Sequence, residues 1–167
     1  MVRTKRVHRD QIIDGAYQLI IKEGFKKFHA RNIAQQVACS TQPIYREFHN
    51  LAELKTVLTR RIIAKYSDFL EDQQPKNIHE LTNTIVNYAN DYPEEFQRFF
   101  LQDKETIDAV KQITQDVFSR LEFGPSQQKI NLMFPLYWQY CIGKAVLMAN
   151  HLEEISDESE LLAILFQ

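Results

Sequence analysis

Residues 24–54 read GFKKFHARNIAQQVACSTQPIYREFHNLAEL, and this stretch decides the fold. Ile33, Ala34 and Val37 share one face of a helix expected over 29–37, and Ile44, Tyr45 and Phe48 mark another over 41–48. Two short helices joined by a tight turn cannot bury those faces alone. They must pack on the helices before and after them, which is the helix-turn-helix arrangement. In the second helix Thr41, Gln42, Pro43 and Arg46 face outward, while Ile44 and Phe48 point to the core. Short polar side chains near a helix N-terminus suit entry into a major groove and contact with base edges.

Working outward, Ile12, Ile13, Ala16, Tyr17, Leu19 and Ile20 recur at helical spacing over 7–23, with Gly24 as a C-terminal stop. A long helix is expected over 51–71, broken at Gln73-Gln74-Pro75. Asn77 can cap the next helix, which carries Ile78, Leu81, Ile85 and Tyr88, and Pro93 suits the first turn of a short helix through Phe96, Phe99 and Phe100. Further helices are expected over 104–123, ending at Gly124-Pro125, and from the cap Ser126 to Leu152, where Pro135 either kinks one helix or separates two. Asp157 and Glu160 form a capping-box-like start for a last helix through Leu161, Leu162, Ile164, Leu165 and Phe166. With 4 Gly, 5 Pro and no stretch of strict apolar alternation, strands have little support. The expectation is an all-α fold of about nine helices: a helix-turn-helix head over 1–50 and a regulatory and dimerisation body over 51–167.

At 167 residues, 44% hydrophobic and 25% charged, the chain can bury a sizeable core and is neither a disordered tail nor a membrane span. The basic start is followed by a polar amphipathic stretch rather than the apolar core of a secretion signal, so a cytoplasmic location is expected, with no membrane partner. The net charge of −2 hides a split. Residues 1–61 hold 12 Lys and Arg against 5 Asp and Glu, whereas residues 62–167 hold 8 against 17. A basic head and an acidic body are what a polyanion-facing protein needs, although a solvated basic face has the same composition. Cys39 and Cys141 are too few and too far apart for a disulfide framework or a four-ligand zinc site. Histidines 8, 29, 49, 79 and 151 offer no pair at metal-ligand spacing, and no nucleophile, base and orienting group come together. No catalytic activity, metal or cofactor is expected.

In their spacing, Gly24, the Ile33-Ala34 pair, Ser40, Tyr45, Phe48 and Leu54 resemble the TetR family of transcriptional repressors over residues 8–60. The resemblance implies DNA contacts from Arg31, Ser40, Thr41, Gln42, Pro43, Tyr45, Arg46 and His49. Tyr45 looks like the family's phosphate-contacting tyrosine, against the alternative that it simply packs. Arg31 and Arg46 stay open between solvated charges and readers of phosphate or base. Pro43 preorganises the helix or touches thymine methyls. Four positions depart from the family pattern, one of them Cys39, which stands where the turn usually has valine. Ala38 replaces the turn glycine, so a left-handed backbone there costs energy and a slightly different turn is expected. His29 is a poorer cap than the usual threonine or serine. Leu51 replaces a lysine whose backbone contact falls to His49 or Asn50.

In the body the resemblance implies a homodimer through the last two helices and a ligand pocket among the middle ones, where Tyr88, Tyr92, Phe96, Phe100 and Trp138 are candidates. The run from Phe134 to Tyr140 is open between core, dimer interface and pocket wall. The implied function is sequence-specific binding to a near-palindromic double-stranded operator, as a repressor released by a small hydrophobic or aromatic effector. The alternative is an activator or adaptor controlled by a protein partner, without a small ligand.

Overall fold

The structure, a computed structural model, describes residues 7–121 and 127–152. Eight α-helices and no strand occur among the described residues. The head contains α1 (Arg9–Glu23), a 3₁₀ turn (Phe25–Lys27), α2 (Ala30–Val37) and α3 (Gln42–Glu47). The body follows as α4 (Leu51–Gln73), α5 (Ile78–Asp91), α6 (Pro93–Glu95) continued by a π-helical turn (Phe96–Phe100), α7 (Lys104–Phe118) and α8 (Gln127–Ala149). The helix expected after Asp157, and the Gly124-Pro125 stop and Ser126 cap before α8, lie outside the described residues.

Local chemistry sets most boundaries. Gly24 closes α1 at φ 78°, its N–H donating to the Ile20 carbonyl at 2.8 Å. Asn50, Asn77 and Asp103 each accept from the backbone N–H three residues on, capping α4, α5 and α7. Pro135 lies inside a continuous α8 and does not divide it. The helix expected over 104–123 stops earlier, at Phe118. There the Ser119 hydroxyl donates to the Asp116 carbonyl, and the N–H groups of Arg120 and Leu121 donate three residues back, tightening the chain into turns.

One continuous core runs from head to body. Ile12, Ala16, Leu19 and Ile20 of α1 meet Ile33 and Ala34 of α2, Ile44 of α3 and Leu54 and Leu58 of α4. In the body α5 lies along α8, and α4 along α7. Hydroxyls buried between those helices pair with one another: Tyr66 with Thr114 at 2.8 Å, and Thr82 with Tyr137 at 3.2 Å. Burial pushes the neighbouring Cys141 thiol up to about 12, so it stays protonated and inert near neutral pH. Among the described residues no helix is long and apolar enough to cross a membrane.

The π-helical turn sorts three phenylalanines between the two halves of the molecule. Phe99 faces the head, stacking on Tyr17 at 6.2 Å between centroids and meeting Phe25 edge-on at 5.3 Å. Phe100 faces the body, edge-on to Tyr66 and tilted against Tyr88 and Phe96, each at 5.2 Å. The wider π turn redirects side chains relative to an α-helix, and such turns are frequent at functional positions.

Candidate nucleic-acid interface

The α3 helix is six residues long and is held by its inner face and its two ends. Ile44 and Phe48 are buried beneath it. At its C-terminal end Arg9 donates from Nη1 to the Glu47 carbonyl at 2.7 Å, and its guanidinium lies 4.2 Å from the Phe48 ring centroid. That arrangement places a cation on the orphan carbonyls of the helix end and over an aromatic face at once. Arg9 was not among the sequence candidates. Its partners lie 38 residues away, and only its place in a basic N-terminal segment marked it.

Before α3 the turn closes on Ala38, at φ 56° and ψ 49°. The N–H groups of Ala38 and Cys39 donate to the carbonyls of Gln35 and Ala34, the Schellman pattern that needs a left-handed residue. The expectation of a differently built turn is therefore corrected: the turn is left-handed, and alanine occupies the position glycine favours. Ala38→Gly is expected to stabilise the protein by about 0.5–1 kcal/mol, because relief of left-handed strain exceeds glycine's extra unfolded-state entropy. The corresponding rise in Tm is about 2–3 °C by thermal melting, and a fall in Tm would contradict the strain.

Around this turn Arg31, Ser40, Thr41, Gln42, Tyr45, Arg46 and His49 are exposed, and Pro43 is half-buried at the first turn of α3. Tyr45 keeps 54% of its surface accessible, far more than a packing role needs. Arg46 is partly engaged, donating from Nε to Glu47 at 3.2 Å and from Nη2 to the Val7 carbonyl at 3.3 Å. Its side chain remains 53% exposed, so the guanidinium both ties down Val7, two residues before α1, and faces solvent. His49 precedes α4 and pairs through Nδ1 with Glu53 at 2.9 Å. The His49 backbone and side-chain hydrogen bonds hold the Glu53 carboxyl below its usual range. His29 makes no capping bond through its side chain, as its poor capping chemistry implies. Exposed Lys22, Lys26 and Lys27 extend the cationic surface before α2.

The five body candidates divide. Tyr88, Phe96 and Phe100 are buried in one aromatic cluster with Tyr66, and Tyr92 is half-buried at its edge, with the Lys65 ammonium 3.3 Å from its ring centroid. Trp138 is separate, stacking on Phe134 at 6.3 Å. A larger open space in the body lies away from these rings. It is a groove of about 520 Å³ between the end of α4 and α7, floored by Leu70, Ile113, Val117 and Leu121 and rimmed by Glu71, Asp116 and Arg120. A smaller groove of about 210 Å³ reaches Phe96 beside Val146 and Ala149. No group of three His, Cys, Asp or Glu side chains suited to a metal ion occurs among the described residues.

Three N-terminal helices presenting an exposed, well-supported α3, joined through α4 to further helices, form a helix-turn-helix arrangement in an all-α fold. More particularly, the fold is that of TetR-like transcriptional regulators. The chain matches such a regulator from Rhodococcus sp. RHA1 with a TM-score of 0.67 at 15% identity, covering 96% of each chain. It also matches the multidrug binding protein EbrR, determined in complex with imidazole, with a TM-score of 0.66 at 14% identity, over 95% of this chain and 94% of that one. No protein-family model and no curated protein sequence matches the chain.

Proposed function

We propose that the protein is a sequence-specific DNA-binding transcriptional repressor that acts as a homodimer on a near-palindromic operator. The observation that carries this is α3 itself, a six-residue helix with buried Ile44 and Phe48 behind it and Thr41, Gln42, Tyr45 and Arg46 exposed in front. One such helix reads few bases, and two-fold pairing gives the selectivity it lacks. Pairing is supported by α8, whose outer face carries Leu132, Leu136 and Leu147 exposed at 69%, 65% and 40%. A Cβ added at Gly143 on that face meets nothing within 4 Å, which leaves room for a close helix–helix approach.

Release by a small hydrophobic or aromatic molecule belongs to the same reading, and the α4–α7 groove supports it. Its volume is in the range of small-molecule sites, and its floor is apolar with polar groups at the rim. The tight packing of Tyr66, Tyr88, Phe96 and Phe100 favours a second reading, a regulator controlled by a protein partner with no small ligand.

Sequencing the genomic fragments retained by purified protein tests the DNA reading and yields the operator. On that operator, log affinity against log salt is expected to fall with a slope of about −0.9 per phosphate neutralised. No enriched sequence, or a flat salt response, would overturn the proposal. Screening the protein–operator complex against hydrophobic and aromatic compounds separates the two modes of release.

A further inference from the structure

Glu95 is 3% exposed and sits where head meets body. Its carboxylate accepts from Tyr88 of α5 at 2.6 Å, from the Lys65 ammonium of α4 at 3.0 and 3.1 Å, and from Tyr17 of α1 at 2.7 Å. Two of those donors belong to the body and fix the carboxylate there. The third is the only one from the head. Other head–body contacts are less directional. The Arg61–Asp14 pair is more than half exposed on both sides, so solvent and salt screen it, and Arg98 reaches the Ile21 carbonyl only at 3.3 Å. Phe99 against Tyr17 and Phe25 is an apolar contact, which resists separation far more than sliding.

We propose that the hydrogen bond from Tyr17 to Glu95 is the latch that sets the orientation of the DNA-binding head on the body, making these two positioning residues for operator binding. The proposal rests on the DNA-binding reading above. Two heads engage two half-sites together only if each is held at a fixed angle on its body. A short bond to a buried, immobilised carboxylate supplies that restraint at the middle of α1, the helix against which α2 and α3 pack. Burial and then the Glu95 hydrogen bond and charge push the Tyr17 phenol well above its usual range, so it keeps its proton and remains a donor throughout the physiological range. The latch adjoins the π-helical turn, and movement of that turn reaches the head through Glu95 directly.

Tyr17→Phe and Tyr88→Phe provide the test. Each keeps the ring and deletes one hydroxyl donor to the same carboxylate, so both lower Tm to a similar extent. Only the first of the deleted bonds joins head to body. Spin labels on encoded ketone residues at exposed Gln36 and Asp72 report the head–body distance, and anisotropy titration reports affinity for the retained operator fragment. Tyr17→Phe is expected to broaden the distance distribution and weaken operator binding about tenfold, the ratio for losing a hydrogen bond to a charged group. Tyr88→Phe is expected to leave both at the wild-type value. An unchanged distribution in Tyr17→Phe, equal broadening in Tyr88→Phe, or broadening with unchanged operator affinity would each overturn the positioning role. If the wild-type protein retains no DNA, the DNA-binding reading falls, and the distance distributions still decide whether the latch holds the head.

Discussion

Leu136→Glu is expected to leave the protein folded but monomeric at micromolar concentration, and to weaken operator binding at least about a hundredfold, through loss of the second, tethered binding event. Leu136 is 65% exposed, and its neighbours on the same face of α8 at helical spacing are Leu132, Tyr140, Gly143 and Leu147. A two-fold interface presents each residue twice, so one substitution places two carboxylates in an apolar contact without partners. The buried side of α8, with Phe134, Tyr137, Cys141 and Ala145, is untouched, so thermal melting should show little change within the monomer. Sedimentation velocity reads the oligomeric state and anisotropy reads the affinity. A dimer persisting with wild-type operator affinity would show that another surface pairs the heads.

What the sequence made legible was what neighbours along the chain decide. Gly24, Asn50 and Asn77 act within four residues of themselves, so the boundaries they set fall within two residues of the expected positions. The burial of Ile33, Ile44 and Phe48 follows from spacing alone. What was illegible is long-range or a matter of competing costs. Arg9 with Glu47, Arg46 with Val7 and Tyr17 with Glu95 join residues 38, 39 and 78 apart, and periodicity assigns faces without assigning partners. Ala38 is left-handed because two backbone hydrogen bonds outweigh a local strain of about 1–2 kcal/mol, a balance that residue preference alone misjudges. The aromatic density from Tyr88 to Trp138 was legible as composition. Its division into one cluster around Tyr88 and a separate Trp138–Phe134 stack is set by contacts between helices, and no local signal announced the π-helical turn that places Phe96 and Phe100 in the first.

That turn makes Phe99 and Phe100 residues whose truncation is expected to cost equally in stability and unequally in function. Phe99 and Phe100 are adjacent and 0% and 1% exposed, so Phe99→Ala and Phe100→Ala remove the same group from equally dry surroundings. Each is expected to lower stability by about 3–5 kcal/mol, the transfer loss plus the cavity left behind, measured by urea denaturation. A loss below about 1 kcal/mol in either would mean that the aromatic packing collapses freely around the gap. The two should nevertheless differ in function. The Phe99 ring fills the space between Tyr17 and Phe25 of the head, whereas Phe100 touches Tyr66, Tyr88 and Phe96 of the body. Removing Phe99 takes away the ring that supports Tyr17, the donor to Glu95, and operator affinity should fall further than in Phe100→Ala at matched fractions of folded protein. Equal affinities in the two variants would mean that the seat beneath the head contributes to folding alone.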